Sequence, residues 1–539
     1  MPLCLVKRTP TSSKTLLTFI EQMGEKHYEV MKDAEIFTNA MLHIAVTAVE
    51  EAIVLLERAV ACSENEKYEK EVMDLLKQVL NIMDSTQSQF VKNIFTFSKI
   101  SYYHDRLSSI FQNNNNINNI KPKDKVLLYN TSHGIKSILQ LRMEAITTID
   151  INELDLNIVD QPFSLAIPGF YSVNKAPATI KSIGHVMKLI PSAKRPRKLR
   201  IIGSDGINYK YLLKGREDLR LDQRIMQLFS LANSILHDDK FGIEKHLHIR
   251  QVPIVPIAPN AGLIVWAEGG ETLYSMISWH RKVLGIIENK EQQMLREYVG
   301  NNHIIGEKEA TLRLNIVQKL ELHREVCSCY PDDDIRETLW LKSQNAEIWL
   351  NKITNFSRSN GLMSIIGYIM GIGDRHPSNI LVMKGTGNVV HIDFSDCFEK
   401  ANLRAYVHET VPFRLTRMIV RAFGASGVNG VFSMTAEYVM KLMRKNKDAL
   451  LAFLDIFVQD PITDTIWYKN AVDFTTKWNG ETEEKGAMLK RAIARVNDKL
   501  CGQEFGEILN VHDQVQKLIE MATDELNLAQ MYYGWAPFW

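Results

Sequence analysis

The residues with the clearest chemical potential lie between Gly371 and Asp396, in GIGDRHPSNILVMKGTGNVVHIDFSD. Ile380–Met383 and Val389–Ile392 are short apolar runs joined by Lys384-Gly-Thr-Gly-Asn388, whose turn residues predict a β-hairpin. Asn379 precedes the first run and Asp393 follows the second. In an antiparallel pair those positions are neighbours, about 5 Å apart, so an amide oxygen and a carboxylate meet at the open end of the hairpin. Hard oxygen ligands of this kind suit Mg²⁺ carrying substrate phosphates. Asp374 adds a carboxylate able to orient or deprotonate a hydroxyl, and His376 an imidazole able to meet developing phosphate charge. Each alone reads as ordinary loop chemistry; around one hairpin they are the parts of a phosphoryl-transfer site.

A second group lies in YKYLLKGREDLRLDQRIMQLF, Tyr209 to Phe229. A strand ending at Lys214 leads through Glu217 into a helix carrying Asp222. A lysine there can neutralise phosphate oxygens while an acid holds its ammonium, although isolated Lys/Asp spacings are more often solvated surface groups. Upstream, Gly203-Ser204-Asp205-Gly206 is a turn whose amides and hydroxyl could face a phosphate; a plain hairpin turn explains it equally well.

These groups need elements to hold them. The chain has 539 residues, enough for about three to five domains. Lys+Arg 64 against Asp+Glu 63 leaves no basic excess, so direct nucleic-acid binding is not expected. Six scattered cysteines imply a reducing compartment. With no apolar run of membrane-spanning length and too short an apolar N-terminus for a signal peptide, the expected location is cytoplasmic, with membrane association through partners as an alternative. Lys194–Arg200 (KRPRKLR) has the look of a nuclear-localisation run but is read as the start of a strand, and a nuclear location stays open.

Between Glu25 and Lys121 there is neither Gly nor Pro, and apolar residues recur at helical spacing. Four helices are expected, roughly 12–32, 34–62, 66–83 and 86–111, as an antiparallel bundle. An Asn-rich linker (112–122) and a helical lead-in (123–167) follow, then short β-type runs from Pro168, with a helix over Asp218–His237 among them. From about Glu271 helices dominate apart from the hairpin. A strand-rich half and a helix-rich half suggest an α+β protein of two lobes with a ligand cleft. All eight tryptophans fall at or after Trp266.

RPRKL, LLKGREDLRLDQRIMQLF, GLIVW, LWLKS, TNFSRS, GDRHPSN, HIDF, VPFRLTRM and the terminal YYGWAPFW resemble the phosphatidylinositol 3-kinase-related protein kinases, and among them the target of rapamycin (TOR) type, over about residues 150–539. The order Asp-Arg-His, reversed from ordinary protein kinases, carries the resemblance most specifically. It implies a bilobal kinase fold of the PI3K/PI4K kind, with a strand-rich N-lobe (168–270) and helical C-lobe (271–500), preceded by an all-helical region and followed by a short helical FATC domain (507–539). It implies an ATP-dependent serine/threonine protein kinase, in growth or nutrient signalling, using Mg²⁺ or alternatively Mn²⁺. Asp374 would orient the substrate hydroxyl, His376 stabilise the transferring phosphoryl group, and Asn379 and Asp393 ligate the metal. Lys214 would contact ATP phosphates with Glu217 and Asp222 as supports; Ser204 would belong to the phosphate loop. Trp266 would stack on adenine, flanked by hinge residues Val265 and Ala267. Residues 393 to about 418 would be the activation segment, and the insert 296–333 the seat of a WD-repeat propeller subunit.

Departures from the family pattern are also visible. The metal-binding Asp-Phe-Gly appears as Asp393-Phe394-Ser395, with serine expected to pay for a glycine-like backbone. Ala529, Met531 and Ala536 stand where TOR-type chains carry cysteines, so no redox switch is expected there. Residues 1–150 hold no tryptophan and do not match the rapamycin-binding bundle, so rapamycin–immunophilin binding is not expected. His323, Cys327 and Cys329 lack a fourth ligand and are read as an ordinary histidine with free thiols. A phosphatidylinositol kinase would present a basic cluster in its activation segment; Lys400 and Arg404 are offset by Asp396, Glu399 and Glu409, which favours protein substrates. A catalytically weak scaffold is the other alternative, resting on Ser395.

Overall fold

The computed structural model describes residues 13–63, 69–85, 88–96, 98–113, 122–156, 158–171, 174–192, 194–286, 290–299, 314–403, 409–459 and 487–539. Most of the Asn-rich linker, residues 300–313 of the insert, and Arg404 lie outside the described residues. The chain divides into two compact units: Met1–Leu219 with Val252–Trp266, and Arg220–Gln251 with Ala267–Trp539.

The first unit opens with helices α1 (Ser13–Ala45), α2 (Ala48–Ser63), α3 (Glu69–Ser85), α4 (Gln89–Phe95), α5 (Ser98–Asn113) and α6 (Pro122–Ala145). The break expected near residue 33 is absent. Nothing there competes with the helix, and the chain turns at Val46-Thr47, where the Glu50 carboxylate accepts both the amide and the hydroxyl of Thr47 at 3.0 Å. The last expected helix is instead two, because Ser88 caps α4 through the Val91 amide and the chain turns at Thr96. Helices α2, α3, α5 and α6 pack on one another, whereas α1 lies against the strands Phe163–Ala166, Asn208–Gly215 and Ile254–Ala258.

The helical lead-in expected over 123–167 ends early. After α6 come β1 (Thr148–Asp150), a 3₁₀ turn (Ile151–Leu154) and β2 (Phe163–Ala166). Thr147, Thr148, Ile149 and Ile151 are β-branched, and Asp150 caps the turn through the Asn152 amide at 2.9 Å, so local chemistry opposes helix. β3 (Thr179–Ile183), β4 (Val186–Leu189), β5 (Arg197–Gly203), β6 (Asn208–Gly215), β7 (Ile254–Ala258) and β8 (Ala261–Val265) complete an antiparallel sheet of order β1-β4-β5-β6-β8-β7, with β3 paired to β5 and to β2. Lys194–Arg200 therefore runs into a strand, with Arg197 buried in it.

Met41, Ile44 and Leu56 from the helices share one core with Ile201, Tyr211 and Leu213 from the sheet. Each such side chain contributes about 1.5–3 kcal/mol by leaving water. Contact at the helix corner is so close that a Cβ on Gly215 would lie 2.4 Å from the Ala45 carbonyl oxygen. Beside it the buried Arg197 guanidinium pairs with Glu50.

The second unit contains α7 (Arg220–His237), α8 (Lys240–Glu244), β9 (Gly270–Thr272), α9 (Leu273–Val283), α10 (Lys290–Val299), α11 (Ile316–Cys329), α12 (Asp334–Leu341) and α13 (Ala346–Ile369). It continues with β10 (Ile380–Met383), β11 (Val389–His391), α14 (Arg417–Ala422), α15 (Val431–Lys445), α16 (Lys447–Gln459), α17 (Ala487–Cys501), α18 (Val511–Thr523) and α19 (Glu525–Gln530). From Ser359 to Ile369 every residue of α13 is buried, which makes it a central helix. The hairpin forms as expected, with Leu381 opposite Val390. Its partner β9 was not anticipated: three residues between a turn and a helix start carry no periodicity to read.

Candidate active site

Helix α13 delivers the chain into the loop 371–379, and the hairpin receives it. Gly371, Asp374 and Asp393 all adopt left-handed backbone angles, φ 57°, 58° and 60°. Two of these are non-glycine, a conformation that persists only where surroundings hold it. Asp374 is held at both ends: its amide donates to Glu409 Oε1 at 2.5 Å, and its carbonyl accepts from Asn379 Nδ2 at 3.0 Å. Arg375, buried, donates to the carbonyls of Gly373 (2.8 Å), Ile392 (2.9 Å) and Asp393, stitching the loop to the end of the hairpin.

The Asn379 amide nitrogen is engaged by Asp374, which leaves its oxygen as the acceptor end. Across the hairpin the Ile392 amide donates to the Asn379 carbonyl at 3.1 Å, so Ile392 stands opposite Asn379 and Asp393 follows one residue beyond, at the open end. An amide oxygen and a carboxylate are the hard donors that fit Mg²⁺ or Mn²⁺. Asp222, at the start of α7, accepts from the Phe394 amide at 2.9 Å, and Phe229 on the same helix packs edge-on against the Phe394 ring. Asp222 thus seats the residue that follows Asp393, a role its sequence position did not suggest.

His376 Nδ1 accepts from the Ser378 amide at 3.2 Å, which puts the proton of the neutral ring on Nε2. Burial pushes its pKa below the usual value, against the pull of Asp374. The ring is therefore a neutral donor at physiological pH.

The first unit carries the other predicted residues. Lys214, in β6, pairs with Glu217 at 2.9 Å, and Glu217 also pairs with Lys194 at 2.7 Å. Ser204 sits in the β5–β6 turn; its hydroxyl accepts the Thr179 amide at 3.0 Å and retains its own proton for donation. Asp205 shapes that turn by accepting the Ile207 amide (3.0 Å) and the Tyr209 hydroxyl (2.6 Å). The amides of Val265 and Trp266 donate to Pro253 and Lys210 carbonyls, and the Lys198 ammonium lies 3.6 Å from the centre of the Trp266 ring. In the second unit the Ala267 carbonyl accepts the Gly270 amide.

Two expectations about the segment after Asp393 are corrected. Ser395 is not among the residues with positive φ; the left-handed residue is Asp393, so serine adopts its backbone without that cost. Asp396 and Lys400 are both buried, 3.6 Å apart, and Glu409 turns to the Asp374 amide, so these charges do not face a substrate. Three members of the charge count, Asp396, Lys400 and Glu409, are therefore internal groups. Arg375, Glu409 and Arg414 escaped the sequence reading. Arg375 stood inside the Asp-Arg-His signature; for the other two nothing local distinguishes a buried charge from a surface one.

The phosphatidylinositol 3- and 4-kinase family matches residues 208–466, and the FATC domain matches residues 508–539. The target of rapamycin homolog of Caenorhabditis elegans is 33% identical over 558 aligned positions, covering 98% of this chain and 20% of that protein. Serine/threonine-protein kinase TOR2 of Saccharomyces cerevisiae is 38% identical over 406 positions, covering 70% of this chain and 16% of its own length. The likeness to the nematode protein thus extends through nearly the whole chain, beyond the stretch where the motifs lie. The chain spans about a fifth or less of the length of these curated relatives. Among solved structures, the FAT and kinase domain of CtTel1 superposes with a TM-score of 0.59 at 23% identity over 92% of this chain and 34% of that one, a likeness of fold.

Proposed function

Because the chain belongs to the phosphatidylinositol 3-kinase-related protein kinases and is similar to those of the TOR type, we propose that it transfers the γ-phosphate of ATP to serine and threonine hydroxyls of protein substrates. The observation that carries this reading is the loop holding Asp374, His376 and Asn379, in which the Asn379 side chain donates to the Asp374 carbonyl and the Arg375 side chain ties the loop to the Asp393 carbonyl.

The Asp374 carboxylate orients the substrate hydroxyl and takes up its proton as the oxygen attacks. His376 offers its Nε2–H to the phosphoryl oxygens, where charge builds. Arg375 keeps the loop and the Asp393 backbone in register during that event. Lys214, held by Glu217, neutralises phosphate oxygens, Ser204 offers a hydroxyl, and Trp266 supplies an aromatic face for adenine. Asn379 Oδ1 and the Asp393 carboxylate would hold Mg²⁺ or Mn²⁺, which supplies charge neutralisation at the phosphates.

A WD-repeat propeller subunit on the 296–333 insert fits the exposed Ile316 and Val317 at the start of α11. Cytoplasmic placement and a role in growth or nutrient signalling belong to the same proposal, and free thiols at Cys62, Cys327 and Cys501 accord with a reducing compartment.

The rival substrate is a phosphoinositide. Incubation with labelled ATP and Mg²⁺, offering a serine/threonine peptide panel beside phosphoinositide vesicles, separates the two. Label on peptide is the expected result. Label on lipid alone would overturn the protein-kinase reading, and no label on either despite ATP binding would leave a scaffold.

A further inference from the structure

Asp374 holds a left-handed backbone conformation, φ 58°. The group that meets its amide comes from 35 positions further along the chain: Glu409 Oε1, at 2.5 Å. The approach depends on Gly373, where a Cβ would stand 3.3 Å from both Glu409 carboxylate oxygens and 2.6 Å from the Ala401 Cβ. Burial and the neighbouring Asp374 charge push the Glu409 carboxyl up to about 7, against the opposing pull of the Asp374 amide and Arg375.

Glu409 is itself anchored. The next residue, Thr410, donates its hydroxyl to the Asn527 carbonyl at 2.6 Å and its amide to Met531 Sδ at 3.4 Å. Val411 packs with Leu528, Met531 and Trp535. Arg414 donates to the carbonyls of Trp535, Ala536 and Trp539 at 2.7, 2.7 and 2.9 Å. The C-terminal segment thus fixes 410–414, and 410–414 fixes Glu409.

We propose that Glu409 is a positioning residue for phosphoryl transfer: its carboxylate clamps the Asp374 amide in the left-handed conformation and so couples the catalytic loop to docking of the Glu525–Trp539 segment. The inference rests on the kinase reading above for its effect on rate, while the clamp itself is readable without activity. A shift of an ångström in a reacting group costs about 10²-fold in rate, so a loosened Asp374 lowers kcat without touching nucleotide binding.

Three variants of the full chain test it. Glu409→Gln keeps an oxygen at the same reach; Glu409→Leu removes the acceptor; Glu409→Asp keeps the charge but shortens the reach by one methylene, and serves if the Leu variant does not fold. With Mg-ATP and a serine/threonine peptide from the panel that the wild type phosphorylates, the Leu and Asp variants should lose about tenfold to a hundredfold in kcat with the KM for ATP nearly unchanged, and Gln should recover most of it. Amide exchange over Gly371–Asn379 should quicken in Leu and Asp and stay slow in Gln. Unchanged exchange in Leu or Asp, or Gln failing as badly as Leu, overturns the clamp. A wild type that transfers no phosphate while exchange follows the predicted order counts against the kinase reading and supports the clamp.

Discussion

Asp374 illustrates how much of this site is backbone work. Its carboxylate is presented only because its amide and its carbonyl are each taken by a side chain. The hairpin that carries Asn379 and Asp393 at its open end was legible in sequence because strand patterning and turn chemistry are local. The residues that hold these segments were not, because Glu409 reaches Asp374 from 35 positions away and Asp222 reaches Phe394 from 172. Ser395 was misread for the opposite reason: a family template put glycine there, and the left-handed angle belongs two residues earlier. Ser395→Gly should therefore leave kcat within about twofold of wild type while lowering stability by roughly 0.5–1 kcal/mol through added chain freedom. Steady-state kinetics and thermal melting read both. A several-fold gain in kcat would restore the view that serine strains the site.

At the scale of elements, the expectation was sound where apolar periodicity ran long and failed where tertiary packing chose the boundaries. Helix α7 and the hairpin lie where expected, but α1 runs unbroken because its face covers the sheet. β1 and β2 emerged from a stretch assigned to helix, their short β-branched runs outvoted by the helices around them. Helix α11 carries a group with a pH consequence. His323 is buried on it, Nε2 3.6 Å from Cys327 Sγ, and burial pushes its pKa down to about 4, aided by Arg417 and Arg324 and opposed by Glu525. The unfolded chain binds the proton near 6.5 and the folded chain does not, so this stability is complete above pH 6.5 and is lost as pH falls toward 4. It amounts to about 3 kcal/mol. Thermal melting from pH 7 to pH 4 should show that decline, and His323→Leu should remove most of it; an equal slope in the variant would refute the assignment.

For the molecule as a whole, the near-zero net charge noted in the sequence conceals charges placed inside it. Arg197 with Glu50, and Asp396 with Lys400, are buried pairs. Arg414 is the corresponding anchor of the C-terminal segment, its guanidinium 4.3 Å from the centre of the Trp535 ring and bonded to three terminal carbonyls. Lysine cannot reproduce that planar fork, so Arg414→Lys should lower stability by about 3 kcal/mol. Limited proteolysis should then release the segment from Glu525 onward before the rest of the chain is cut; simultaneous cutting would argue against an anchoring role. The tryptophans, absent before Trp266, take on meaning at this scale too, since Trp535 and Trp539 close the C-terminal segment onto the residues that follow the catalytic loop.

The central claim is that Asp374 serves phosphoryl transfer from ATP. Its most direct test is transfer of labelled γ-phosphate to a serine/threonine peptide by wild type and Asp374→Ala, with nucleotide affinity measured on both. The account predicts a loss of about 10²–10⁴-fold in kcat with ATP binding unchanged. Equal transfer by the two proteins, or none by a wild type that binds Mg-ATP, would contradict it.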